Sequence, residues 1–210
     1  VWSCGTGYIK PVLCVLKGKI MELLEKAITE KGKVLPGNVL KVGAILNNRM
    51  DVKLLSALAE DIASHFGDKG VTDVLTVEAS GIALAVLVAE KLGVDALFAK
   101  KSKTANVEGE VYSAECYSYT HKKSNTLIVP AEYLEKDAKV LIVDDFLANG
   151  EALNALIDIV KQAGAETVGC AVAVEKGFQG GGDKLRAAGM DVYSLAIVES
   201  MENGKVVFRR

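Results

Sequence analysis

Three observations predict an α/β fold with a central, mostly parallel sheet flanked by helices. Short apolar runs alternate with segments of helical period, as in residues 71–77, 81–92 and 96–99, the order of a compact βαβ unit. The run 140–143 is continuously apolar, as expected of a strand buried on both faces. Half of the 210 residues are hydrophobic, which suffices for one well-buried domain.

The elements follow in chain order. Residues 1–20 have no initiator Met and no clear helical or strand period, and their apolar run at 12–16 is too short for a secretory core. Met21 opens an amphipathic helix with Leu24, Ala27 and Ile28 at helical spacing. Met21 is therefore the expected start of the fold, residues 1–20 an expected upstream extension outside it, and residues 21–210 a single domain. That helix ends near Lys31 and Gly32, and residues 33–46 form a mixed stretch around a Pro36-Gly37 turn. Asp51 is positioned to cap a helix over 52–66, whose apolar face carries Leu54, Leu55, Leu58, Ala59 and Ile62. After Gly70 come a strand at 71–77, a helix at 81–92 and a strand at 96–99. Residues 100–125 are polar, with Tyr112, Tyr117 and Tyr119 in partial alternation, and are expected to form a mobile loop passing into a β-hairpin.

The second half repeats the alternation. A strand at 140–143 leads to a helix at 151–163 with Leu153, Leu156, Ile157 and Val160 inward, closed by Gly164. A strand at 167–174 follows, then a Gly-rich start at 180–182 to a short helix within 178–188, a strand at 192–198 and an edge strand at 205–208. No internal repeat or heptad pattern is present.

Composition excludes several classes of function. A net charge of −2 lacks the basic excess of a general nucleic-acid binder, and no apolar run approaches the roughly 20 residues needed to span a bilayer. Cys4, Cys14, Cys116 and Cys170 form no Cys-x-x-Cys pair, which fits reduced thiols in a cytoplasmic protein. His65 and His121 offer no metal-ligand spacing and read as surface or packing residues.

The chemistry concentrates at Asp144-Asp145. These carboxylates fall at the carboxyl end of a buried strand, where open α/β sheets place their ligands. The turn Ala148-Asn149-Gly150-Glu151-Ala152 then enters a helix whose free N–H groups and positive dipole end suit a phosphate. A ligand with a sugar end and a phosphate end satisfies both halves. Ser80 and Gly81 occupy a second strand-to-helix turn able to receive an anion. Lys100, Lys101 and Lys103 cluster at another strand end, where cations stabilise a departing anion. Lys176 lies at the same end of the sheet, and Phe178 offers an apolar surface for a flat ligand.

The run Asp144-Asp145-Phe146-Leu147-Ala148-Asn149-Gly150 resembles the signature of the type I phosphoribosyltransferases, and with Lys176 it is similar to the bacterial xanthine subgroup. The resemblance extends from Met21 to near the carboxyl terminus. It departs from the wider family in the loop, where Asn149-Gly150-Glu151-Ala152 replaces the frequent Thr-Gly-Thr; the backbone cradle survives and the hydroxyl contacts do not.

What the resemblance implies is a type I phosphoribosyltransferase-like fold with a flexible loop and a small hood, built from about residues 33–48 and the carboxyl-terminal segment. The implied reaction is purine salvage: transfer of 5-phosphoribosyl from 5-phosphoribosyl-1-pyrophosphate to xanthine or a related 6-oxopurine, giving xanthosine monophosphate and pyrophosphate. Asp144 and Asp145 would bind the ribose as the catalytic pair. Ala148, Asn149, Gly150, Glu151 and Ala152 would bind the 5-phosphate, Ser80 and Gly81 the pyrophosphate, with Lys101 and Lys103 beside it. Leu40, Asn47, Lys176 and Phe178 would serve the base. Mg2+ would accompany the donor with no protein ligand directly assigned, and a homodimer is expected. The alternatives are a donor-sensing regulator like the purine repressors and a hypoxanthine-guanine phosphoribosyltransferase.

Overall fold

The structure, a computed structural model, describes residues 9–101, 109–118, 123–202 and 204–210. Helix α1 (Ile9–Lys31) starts well before the expected Met21. From Leu24 onward α1 turns Leu24 and Ile28 fully into the core.

The mixed stretch resolves into a two-stranded hairpin, β1 (Lys33–Leu35) and β2 (Val39–Lys41), followed by one turn of π-helix at Gly43–Asn47. Asn38 takes a left-handed backbone, with φ of 60°, in the turn that joins them. Helix α2 (Val52–Phe66) begins as its sequence predicts, with the Asp51 carboxylate accepting from the Leu54 amide at 3.2 Å.

Strand β3 (Asp73–Val77), helix α3 (Ile82–Leu92) and strand β4 (Asp95–Ala99) make the βαβ unit, with β3 and β4 parallel. The polar segment leads into an antiparallel hairpin, β5 (Val111–Ser118) and β6 (Lys123–Pro130). Strand β7 (Lys139–Leu147), helix α4 (Glu151–Gln162) and strand β8 (Glu166–Lys176) repeat the unit; a short helix α5 (Gly181–Ala187), strand β9 (Val192–Glu202) and strand β10 (Lys205–Phe208) complete it. The main sheet runs β10-β9-β8-β7-β3-β4, parallel throughout except for β10.

Two cores sandwich this sheet, and β7 contributes to both because alternate side chains face opposite sides. Leu141 and Val143 join α1, α2 and α3 on one face, whereas Val140 and Ile142 join α4 and the inner side of the β5–β6 hairpin on the other.

One feature of register positions the site. β7 is four residues longer at its carboxyl end than the apolar run 140–143, because pairing with β8 continues to Leu147 opposite Glu175. Its pairing with β3 ends at Ile142. Beyond that point the β3 side of β7 is open. The chain leaves β3 toward β4 on one side and leaves β7 toward β8 on the other, so this opening is the topological switch of the sheet.

Candidate functional site

The opening contains a cleft of about 930 Å3. Its floor is β7: Asp144 and Asp145 sit inside the strand, not after it as the apolar pattern predicts, and are only 5% and 7% exposed. The Asp145 amide donates to Asp144 Oδ1 at 2.9 Å. Burial, and then repulsion from Asp145, hold the Asp144 carboxyl well above the usual carboxylate range, against a smaller downward pull from Lys101. Two carboxylates this close and this dry are poised to accept from hydroxyl groups of a ligand.

The loop after β7 forms one wall. Gly150, with φ of 92°, caps α4, and the first helical bond runs from the Asn154 amide to the Gly150 carbonyl at 2.9 Å. The amides of Glu151, Ala152 and Leu153 therefore precede the hydrogen-bond ladder, and residues 147–153 all line the cleft. Gly150 has ordinary space around a Cβ position; what it supplies is the left-handed backbone.

The turn after β3 forms the opposite wall through Glu78 and Ser80. The Glu78–Ala79 peptide is cis. Glu78 Oε1 accepts from the Lys101 amide at 2.6 Å, which ties this turn to the end of β4, and exposed Lys101 lines the cleft beside it. Gly81 is buried and lies outside the lining: a Cβ there would come within 2.7 Å of Asp144 Oδ1 and overlap Thr76 Oγ1. It lies beneath the Asp144 carboxylate, where only a residue without a side chain fits. Lys103 and His121 lie outside the described residues.

Lys176 ends β8 beside the floor, in the last register position with β9, and lines the cleft. Its Nζ donates to the Asn38 carbonyl at 3.3 Å, joining the base of the cleft to the tip of the β1–β2 hairpin, and burial lowers its pKa. The same ammonium stands 5.8 Å from the Phe146 ring centroid. Phe146 lines the cleft, whereas Phe178, the expected stacking surface, sits on the following 3-10 turn outside the lining. The displacement follows from register: Phe146 is a β7 residue in the sheet opening, and Phe178 has passed beyond the end of β8.

Leu40 is 6% exposed, in the core that β2 shares with the helices, and does not line the cleft. Asn47 lies at the end of the π-helical turn, and its Nδ2 donates to Asp145 Oδ2 at 2.7 Å. Its Oδ1 is buried without a hydrogen-bond partner among the described residues.

Sequence reasoning overlooked Cys116, Tyr117 and Asn125 of the β5–β6 hairpin, and Gln179, all of which line the cleft. The partial Tyr alternation pointed to the hairpin but not to where it docks. Burial, and next the Glu151 carboxylate, raise the Cys116 pKa, so this thiol faces the cleft without nucleophilic activation. His65 is a packing residue, stacked on Tyr193 at 4.1 Å between centroids, with its Nε2 on Asp191. Among the described residues no group of three or more His, Cys, Asp or Glu side chains is arranged to hold a metal ion, and no helix is long and apolar enough to cross a membrane.

Comparison with known proteins agrees with this arrangement. The chain is 50% identical over 192 residues to a protein of Bifidobacterium longum named xanthine phosphoribosyltransferase, covering 90% of this chain and 100% of that one. A protein of the same name from Lactobacillus delbrueckii subsp. bulgaricus is 49% identical over 188 residues, with the same coverage of each chain. Among solved structures, the adenine phosphoribosyltransferase of Giardia lamblia, in complex with 9-deazaadenine, superposes with a TM-score of 0.71 at 24% identity, over 84% of this chain and 98% of that one; this likeness concerns the fold. Residues 41–194, which hold the sheet opening, both carboxylates, the α4 loop and Lys176, match the phosphoribosyl transferase domain, and the chain belongs to that family.

Proposed function

We propose that this protein transfers the 5-phosphoribosyl group of 5-phosphoribosyl-1-pyrophosphate to xanthine, forming xanthosine monophosphate and pyrophosphate in purine salvage. The observation that carries the reading is the convergence, in one cleft at the sheet switch, of two buried adjacent carboxylates, a helix-entry amide loop and a half-buried lysine. The choice of base is supported by the full-length relatives of that name at about half identity.

In this reaction a ring nitrogen of the base bonds to C1 of the ribose as the C1–oxygen bond to pyrophosphate breaks, and the nitrogen loses its proton. The donor's 5-phosphate would lie on the Glu151, Ala152 and Leu153 amides, with its ribose hydroxyls donating to Asp144 and Asp145. Positive charge grows at C1 as the bond breaks, and the two carboxylates beneath the sugar favour it, while Lys101 favours the departing anion. The Lys176 ammonium suits an exocyclic carbonyl of the base; Asn47, outside the cleft lining, remains a proposed base contact by resemblance. Lys103 remains a proposed donor contact by resemblance. Leu40 and Phe178 are more distant from the cleft and would act on the base through the hood.

Magnesium fits as a companion of the donor. Mg2+ is usually held by one or two carboxylates together with substrate phosphates, and Asp144 and Asp145 are the carboxylates at hand. Bound there, the ion would neutralise charge on the leaving pyrophosphate. A homodimer and a cytoplasmic location complete the proposal, on the family resemblance and the free thiols of Cys116 and Cys170.

Pyrophosphate release measured with xanthine, guanine, hypoxanthine, adenine and orotate, beside a DNA-binding assay, tests the reading. The highest kcat/KM is expected with xanthine. Preference for hypoxanthine and guanine would make it the other 6-oxopurine enzyme, and DNA binding without turnover on any base would make it a regulator.

A further inference from the structure

Glu175 is fully buried on β8, immediately before Lys176, and takes no part in the chemistry described above. Its carboxylate is nevertheless heavily engaged. Arg186 Nη1 donates to Oε1 at 3.1 Å and Nη2 to Oε2 at 2.5 Å, a bidentate pair, and the Ser194 hydroxyl of β9 also donates to Oε2. A buried charge is tolerated only when paired in this way.

The partners show what the anchor holds. Arg186 lies near the end of α5, and Gly182 lies at its start, with its Cα so close to the Glu175 carboxylate that a Cβ would stand 2.5 Å from Cδ. Both ends of α5 are thereby fixed on one carboxylate. Gly181, the neighbouring residue, packs against the loop after β7: a Cβ on it would fall 2.5 Å from the Asn149 carbonyl carbon and 2.7 Å from the Gly150 nitrogen, and would overlap the Ala148 carbonyl oxygen. The loop presents one side to the cleft and rests its other side on Gly181.

We infer that α5 is a strut setting the position of the donor-phosphate loop, with Gly181 as its contact surface and the Glu175–Arg186 pair as its anchor. These are positioning residues; they touch no substrate. The inference rests on the proposed assignment of residues 148–152 to the donor phosphate. Packing without side-chain atoms is what allows such rigidity, since nothing flexible stands between α5 and the loop.

The test is steady-state kinetics on the full chain, with donor and base varied separately, beside calorimetric titration of the donor. Gly181→Ala must displace the loop, and losing a hydrogen bond to the charged phosphate costs roughly 10- to 100-fold in affinity. The donor KM is expected to rise on that scale while the base KM changes by less than about threefold. Arg186→Lys keeps the charge and loses the fork, and should raise the donor KM by roughly tenfold with the same selectivity. It serves alone if Gly181→Ala does not fold. Wild-type donor affinity in the variants, or equal rises in both KM values, overturns the strut. Absence of donor binding by the wild-type protein overturns the assignment of the loop instead.

Discussion

The two ends of the cleft are built in opposite ways. The proposed sugar and 5-phosphate end is contiguous in the chain: the carboxylates and the helix-entry loop all fall within Asp144–Ala152, on one strand and the turn that leaves it. The proposed base end is assembled from remote segments, with Lys176 from β8 bonded to Asn38 of the β1–β2 hairpin, Phe146 from β7 and Gln179 from the turn before α5, while Asn47 of the π-helical turn reaches Asp145 from outside the cleft lining. A contiguous site is fixed by local backbone geometry. An assembled one depends on long-range packing, so damage to either end should have a different signature.

The largest effect is expected from Gly150→Val. A β-branched residue is strongly disfavoured at a φ of 92°, so the loop must change shape and withdraw its amides from the phosphate. Loss of several such donors should lower donor affinity by roughly 100-fold or more. Gly93 caps α3 with a similar φ of 71° and nothing within 4 Å of its Cβ position, so Gly93→Val is the matched control. Both variants should lose comparable thermal stability, and calorimetric titration should find donor binding lost only in Gly150→Val. Retained affinity there would break the contrast at its stronger end.

Lys176→Ala comes next and probes the assembled end. A hydrogen bond from a charged donor contributes about 1.5–3 kcal/mol, so the base KM should rise by roughly 10- to 100-fold. Donor affinity should hardly change. Because the substitution also frees the Asn38 carbonyl, the hairpin tip becomes less protected, and hydrogen exchange should quicken over residues 36–39 but not over 148–152. Equal weakening of base and donor would mean that the two ends are one structural unit.

The same contrast explains what was legible in the sequence. Local signals marked the proposed donor end: the apolar run, the Asp pair and the Gly that a left-handed cap needs are adjacent, and the resemblance of Asp144–Gly150 to a known signature rests on that adjacency. Asp51 as a cap and the βαβ alternation were legible for the same reason. Register was not. Whether Asp144 ends a strand or lies within it depends on how far β8 accompanies β7, which no local pattern encodes. Phe146 and Phe178 are equally aromatic in sequence, and only the sheet opening separates the one that lines the cleft. Asn47 read as a turn residue or a base contact, while its bond to Asp145 links segments 98 residues apart.

That bond makes Asn47 the bridge between the ends, with a smaller expected effect. Asn47→Ala removes one hydrogen bond to a carboxylate, worth about 1.5–3 kcal/mol, spread over donor and base. Both KM values should rise, each by roughly threefold to tenfold, unlike the selective losses above. A change confined to one substrate would show that the bridge serves that end alone.

The smallest effect concerns stability and separates the ends by their electrostatic cost. Asp144 is held in a dry site beside a second carboxylate, so its folded-state pKa is raised above the ordinary value of 3.8. The native state then holds a proton that the unfolded chain has released, and stability falls as pH rises from the unfolded pKa through the folded one. Asp144→Asn keeps an Oδ1 to accept from the Asp145 amide and removes the charge. It should therefore raise the Tm at neutral pH, by roughly 2–4 °C for each kcal/mol of repulsion relieved, and the gain should vanish as pH drops below about 3.8. Turnover should fall at the same time, because a ribose hydroxyl meets a neutral amide where a carboxylate stood. Lys176 is shifted down by burial alone, with no like charge beside it, so Lys176→Ala has no repulsion to relieve. A Tm for Asp144→Asn at or below wild type at neutral pH would place the cost of the paired carboxylates elsewhere, in the Asn47 and Lys101 groups that face them, and would make the donor end as relaxed as the base end.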